Sequence, residues 1–328
     1  MGAVTGKEPR SGEPESPPPV GRGLGGGQMK IGVDLGGSKI EAAILADDGR
    51  IAWRARVPTP RGDYAATVGA VAALVNEGIA NYSGGGTAVD ARTPVGVGIP
   101  GAESLDSGLV KNANSTWLID RPLRTDLAAA LGRPVRLAND ANCFALSEAV
   151  DGAAAGADVV FGVILGTGVG GGIVIRRQVL AGANAIAGEW GHNPLPGASE
   201  DRACYCGRTD CIETYLSGPA LEAEVARAGG AAVPADEIAR RAALGDALCA
   251  AALDRHTMRL ARALAGVINL LDPDVIVLGG GLSNIDRLVA DVARRWRAWV
   301  FSDSMHTQLV RAHHGDSSGV RGAAWLWP

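Results

Sequence analysis

One short pattern occurs twice and constrains this chain more than any other feature. Gly32, Val33, Leu35 and Gly36 recur as Gly162, Val163, Leu165 and Gly166, 130 residues further on, and Ile44 falls opposite Val174. In each copy an apolar, β-rich run ends in a glycine turn and a second apolar run follows. Residues 30–45 read as strand, Gly36-Gly37 turn, strand, and residues 159–175 repeat this around Gly166-Thr167-Gly168. Self-similarity of this kind predicts two domains built alike, each offering a glycine turn to one cleft. Glycine and valine are common here, so chance matching is the competing explanation. The length of 328 residues independently suggests two cores. The 47 glycines have no Gly-X-Y period and cluster between β-rich runs, where backbone amides can approach a ligand.

The flanking sequence fits this plan. Residues 51–57 read as a third antiparallel strand, residues 64–80 as a helix with apolar positions at Val68, Val71, Leu74, Val75 and Ile79, and residues 94–99 as a strand. From Ala220 the chain is helical, with Leu260, Leu264, Val267, Ile268 and Leu271 on one face. Residues 275–278 form a buried strand entering Gly279-Gly280-Gly281, and a last helix is expected over residues 318–327. The polar, Pro/Gly-rich residues 1–28 predict a disordered tail, and Met29 is a candidate start. Lys+Arg of 31 against Asp+Glu of 35 argues against a nucleic-acid surface. No secretory signal is visible, and the uncharged residues 159–175 are short and interrupted by glycine, so no membrane span is expected. With five cysteines and no disulfide framework, the expectation is a cytoplasmic protein.

Several motifs carry chemistry. Asp140, beside Asn139 and ahead of a helix, places an acid near a phosphate-cradling turn, as phosphoryl transfer requires. The competing role for Asp140 is a helix cap. Asp34 precedes Gly36-Gly37 and could hold Mg²⁺ beside ATP, or be a solvated turn acid. No GxxxxGK[ST] is present, which excludes a P-loop. His192, Cys204, Cys206 and Cys211 form a Cys₃His zinc set with all four positions filled, hence structural, the alternative being free or bridged thiols. Glu189 and Glu213 bracket it and could accept sugar hydroxyls, although a surface ion pair would explain either one alone.

This combination resembles the ROK family of bacterial sugar kinases and repressors from about Lys30 to Trp327. It rests on residues 34–39, 98–101, Asn139-Asp140, residues 166–168, 188–192, the cysteine run with Glu213, and residues 279–281. Residues 111–117, 191–196 and 314–321 look most like its fructokinases, including the manno(fructo)kinase type. The resemblance implies an actin-like ATPase (ribonuclease H-like) α/β fold with two domains around a central cleft. Residues 29–138 plus 312–328 would form the small domain and 139–311 the large one, with a zinc loop at 188–213. It implies Asp140 as catalytic base, and Asn114, Asn139, Glu189, His192 and Glu213 on the sugar. Asp34, Gly36, Gly37, Ser38, Lys39, Gly166, Thr167 and Gly168 would surround the phosphates and Mg²⁺, with Gly279, Gly280 and Gly281 near the nucleoside. Ser38 stands where Thr is more usual. The implied activity is ATP-dependent phosphorylation of the 6-hydroxyl of fructose by a homodimer. Glucokinase and N-acetylmannosamine kinase are the alternatives. A sugar-responsive repressor would need a DNA-binding helix pair ahead of Lys30, which the tail does not offer.

Overall fold

The computed structural model describes residues 28–82, 89–90 and 92–327. The expected tail therefore lies outside the described residues except for Gln28, whose N–H donates to Asp47 Oδ2 at 2.7 Å.

The first half runs β1 (Lys30–Leu35), β2 (Lys39–Leu45), β3 (Ile51–Pro58), α1 (Tyr64–Asn81), β4 (Val95–Ile99), a short hairpin β5 (Ala102–Glu103) and β6 (Val110–Lys111), α2 (Leu123–Leu131) and β7 (Val135–Asn139). The second half runs α3 (Asp140–Asp151), β8 (Val159–Leu165), β9 (Val169–Ile175), β10 (Gln178–Val179), α4 (Glu213–Leu216), α5 (Gly218–Arg227), α6 (Ala235–Ala243), α7 (Ala247–Leu271), β11 (Val275–Gly279), α8 (Leu288–Arg295), β12 (Gln308–Arg311) and α9 (Ser318–Ala324).

Both sheets use one strand order, β3-β2-β1-β4-β7 and β10-β9-β8-β11-β12. In each, an antiparallel meander of three strands is extended by two parallel ones. This is the ribonuclease H-like arrangement used twice. The repeat is closest over the first strand of each hairpin and then slips. Leu35 pairs with Ile40, leaving residues 36–39 in the first turn, whereas Leu165 pairs with Val169, leaving only residues 166–168 in the second. The second turn is thus one residue tighter, and the counterpart of Val174 in the first hairpin is Leu45 rather than the Ile44 that sequence alignment suggested.

The repeated glycine has a packing cause. A Cβ on Gly32 would lie 2.1 Å from the Val320 carbonyl of α9, and one on Gly162 would lie 2.7 Å from Ala145 of α3. Each helix therefore sits directly on the backbone of its sheet. Cβ contacts that close do not occur, so any larger residue would push the helix off the sheet. The two helices also meet each other, since a Cβ on Gly322 would strike the Cys143 carbonyl. The layers run sheet, α9, α3, sheet, with α1 and α2 packed beyond the first sheet and α5 and α7 beyond the second.

Buried Glu148 of α3 ties the chain's return. It accepts from the N–H groups of His313 (2.9 Å) and His314 (3.1 Å) and from Ser318 Oγ (3.0 Å). The last helix ends at Ala324, three residues short of expectation, and the tail beyond it is pinned by Arg136 on the Leu326 carbonyl (2.8 Å) and Lys30 Nζ on the Trp327 carbonyl (3.0 Å). No helix among the described residues is long and apolar enough to cross a membrane.

Candidate active site

Asp140 stands where β7 ends and α3 begins. The cap of α3 is Asn139, whose side chain accepts the Ala141 N–H at 2.8 Å. Asp140 Oδ1 shares that donor at 2.7 Å. Because Asn139 already occupies the capping position, the helix needs no carboxylate at 140, and Asp140 opens onto the cleft. Protein crowded around the carboxyl raises its pKa above the ordinary carboxylate range, and the Glu189 charge adds to the effect.

Asp34 lies close by, at the end of β1. Its carboxyl is pushed up to about 6, first by burial, then by the charges of Asp140 and Glu41. Glu41, directly across the strand pair, is buried and bonded to Arg54 and Arg56 of β3. Two converging carboxylates suit a hard divalent cation, which would relieve their repulsion. The first glycine turn is braced by contacts with no motif behind them. Thr59 Oγ1 donates to the Gly36 carbonyl (2.8 Å), the Thr59 N–H to the Ser38 carbonyl (3.1 Å) and Arg61 Nε to the Gly37 carbonyl (2.9 Å). Ser38 and Lys39 are exposed. Asn114 is exposed too, its N–H fixed on the Pro100 carbonyl at 3.1 Å.

The second turn closes through the Gly166 N–H on the Gly168 carbonyl (2.9 Å). Glu213 holds it, with Oε2 accepting the Val169 N–H at 2.8 Å. Beside it a cavity of about 1040 Å³ is lined by Gly166, Thr167, Gly218, Ala239, Gly281 and Asn284, among others. Of the glycines expected near the nucleoside, Gly281 lines this cavity. Gly279 and Gly280 serve close packing, since a Cβ there would meet Phe144 at 2.5 Å or the Leu165 carbonyl at 2.4 Å. The walls from α5 and α6 carry no motif that sequence reading could have found.

The ligand atoms of His192, Cys204, Cys206 and Cys211 lie within 4.8 Å of one another. Cys206 Sγ is 3.6 Å from Cys211 Sγ, and Cys204 Sγ is 3.7 Å from His192 Nδ1. A tetrahedron with zinc–sulfur bonds of ~2.3 Å has edges of ~3.7 Å, so the set fits zinc. All five cysteines are free thiols. The loop is anchored to α5 and α7 by Arg202, which pairs with Glu200 (2.7 Å) and Glu224 (2.8 Å), and by Arg259 on the same two acids. It runs directly into α4, whose first residue is Glu213. The Cys/His loop therefore positions the acid that holds the second glycine turn. Tyr205, not singled out from sequence, reaches His192 Nε2 with its hydroxyl at 3.1 Å. Protein around that hydroxyl, then the charges of Glu213 and Glu189 among nearby groups, push the phenol up to about 12.

Residues 30–328 match the ROK family. The chain belongs to the ROK family. It is 39% identical over 306 residues to an N-acetyl-D-glucosamine kinase of Pectobacterium atrosepticum, covering 91% of this chain and 98% of that one. The enzyme of the same name from Salmonella typhimurium is also 39% identical, with 91% and 99% covered. Among solved structures, a ROK hexokinase from Thermus thermophilus superposes with a TM-score of 0.80 at 32% identity, covering 91% of this chain and 97% of that one. A ROK glucokinase from Streptomyces griseus in complex with glucose and AMPPNP gives 0.71 at 30%, covering 90% and 98%.

Proposed function

We propose that this ROK protein is an ATP-dependent kinase for an N-acetylhexosamine, N-acetyl-D-glucosamine first, phosphorylating its 6-hydroxyl. The observation that carries the reading is the near-full-length match to N-acetyl-D-glucosamine kinases. The coarser activity, ATP-dependent sugar phosphorylation, rests on the family and on both sets of relatives. The fructose expected from residues 111–117, 191–196 and 314–321 finds no support in these relatives. The glucokinase and hexokinase among the solved structures make glucose the second candidate.

Asp140 would take the proton of the attacking hydroxyl, and its raised pKa supports this, since such a carboxyl is a stronger base once ionised. Asn139, Glu189, His192, Glu213 and Asn114 would hold the sugar. The cavity beside Thr167 would take the nucleoside, with the two glycine turns facing the phosphates. Mg²⁺, held by Asp34 directly or through water, would supply charge neutralisation on the phosphoryl oxygens. Zinc would be structural, fixing the loop between His192 and Glu213. The residue ranges 29–138 plus 312–328 and 139–311 remain the proposed domains, and a homodimer the proposed assembly.

A coupled ADP-release screen over N-acetylglucosamine, N-acetylmannosamine, glucose, mannose and fructose tests this. The highest kcat/KM is expected for N-acetylglucosamine. A clear preference for fructose or glucose would overturn the substrate, and no sugar-dependent ADP release would overturn the activity.

A further inference from the structure

We infer that Tyr205 is a specificity-determining residue that contacts the sugar and favours an acetamido substituent over a hydroxyl. The inference rests on the reading of the cleft as that of a sugar kinase. Tyr205 lies between Cys204 and Cys206, whose sulfur atoms converge on His192 and Cys211. Cys204 is buried at 9% exposure, whereas Tyr205 is 72% exposed. His192 holds this exposed ring. Its hydroxyl meets His192 Nε2 at 3.1 Å, and the rings lie edge to face with centroids 5.2 Å apart.

His192 turns Nδ1 toward the cysteines, 3.7 Å from Cys204 Sγ, so Nε2 is its outward nitrogen. With a metal on Nδ1, the ring proton would sit on Nε2 and be donated to the phenol oxygen. The phenol hydrogen is then free to donate elsewhere. The carboxylates of Glu189 and Glu213 lie within electrostatic reach of this phenol, and Glu189 within reach of Asp140. These carboxylates thus connect Asp140 to the Cys/His loop, where Tyr205 presents an exposed aromatic ring. A free O–H donor on an apolar ring complements an acetamido group, whose carbonyl accepts a hydrogen bond and whose methyl packs on carbon. The neighbouring acids accept from hydroxyl and amide hydrogens. A hexose with a hydroxyl at that position would leave the ring face unfilled.

The test compares Tyr205→Phe and Tyr205→Ala with the wild-type full chain. It measures kcat/KM for N-acetylglucosamine and for glucose, together with zinc content by elemental analysis. The Phe variant loses the donor and keeps the ring, and the Ala variant loses both. The ratio of the two kcat/KM values should fall about tenfold in the Ala variant and by a smaller factor in the Phe variant, mainly through KM for N-acetylglucosamine. Zinc content should stay at the wild-type level in both. An unchanged ratio, or a parallel fall for both sugars, would overturn the inference. So would zinc loss in the Phe variant, because Tyr205 would then be a support of the metal loop. If the wild type phosphorylates no N-acetylhexosamine, the substrate reading fails separately. The role of Tyr205 in selection is then read from the ratio between the two best sugars, and an unchanged ratio there would overturn it too.

Discussion

Asp34 and Ile164 occupy the same place in two copies of one hairpin, one residue before Leu35 and Leu165, and the contrast divides the molecule's work. The first copy is charged. Asp34 faces Glu41 across the strands, Asp140 follows β7 two strands away in the same sheet, and a pair of arginines compensates Glu41. The second copy is neutral, with Ile164 paired to Gly170, and its tighter turn opens on the cavity beside Thr167. On the proposed function, one frame would be used once to collect carboxylates for phosphoryl and proton chemistry, and once to leave room for a nucleotide. The frame itself depends on Gly32 and Gly162, where a helix rests on bare backbone in both copies.

The largest expected effect comes from the charged half. Asp140→Asn preserves shape and removes the proton acceptor, so kcat should drop by roughly 10²–10⁴-fold while sugar binding by calorimetry stays close to wild type. Near wild-type turnover would reduce Asp140 to an auxiliary of the Asn139 cap.

The two turns should also respond unequally to the same added methyl group. A Cβ on Gly168 would lie 2.6 Å from Glu213 Oε2, whereas one on Gly37 would find Ser115 Oγ at an ordinary 3.5 Å. Gly168→Ala should therefore displace Glu213 and cost roughly tenfold or more in kcat/KM, with Gly37→Ala several-fold milder. Equal losses in steady-state assays would mean that the turns are not distinguished by packing.

The smallest effect is on stability. The folded pKa of Asp34, about 6, exceeds its free value of 3.8, so the native state binds that proton more tightly than the unfolded chain. The stabilisation from protonation is fully present below about 4 and is lost as pH rises through about 6. At pH 7.5 Asp34→Asn should raise Tm by ~2–4 °C, allowing for solvent screening, even as activity falls. The advantage should shrink toward pH 4.5. A thermal scan showing Tm lowered at pH 7.5 would mean that the carboxylate is held by favourable partners instead.

The sequence was legible where a local pattern has a local cause. The hairpins announce themselves as apolar runs broken by glycine, and the metal ligands lie within one loop. Residues brought in from elsewhere were not legible. Four-residue β12 has too little pattern to be read as a strand, and the α5 and α6 walls of the cavity are assembled by tertiary packing alone. Thr59 and Arg61 brace a turn more than 20 residues before them through side chains with no motif. The one-residue slip between the hairpins was hidden because Ile44 and Leu45 are both aliphatic, so Val174 can be set opposite either. Asp140 could be read as a cap because only the geometry shows Asn139 in that position.

The division of labour between the halves is tested most directly by calorimetric titration of ADP and of N-acetylglucosamine into two variants. Ala239→Trp places a large ring in the cavity beside Thr167, and Asp140→Asn alters only the charged half. The account predicts that Ala239→Trp loses ADP binding by roughly tenfold or more while keeping the sugar, and that Asp140→Asn keeps both ligands. Wild-type ADP affinity in Ala239→Trp, with its fold intact by circular dichroism, would contradict the account, because the cavity beside Thr167 would not be where the nucleotide binds.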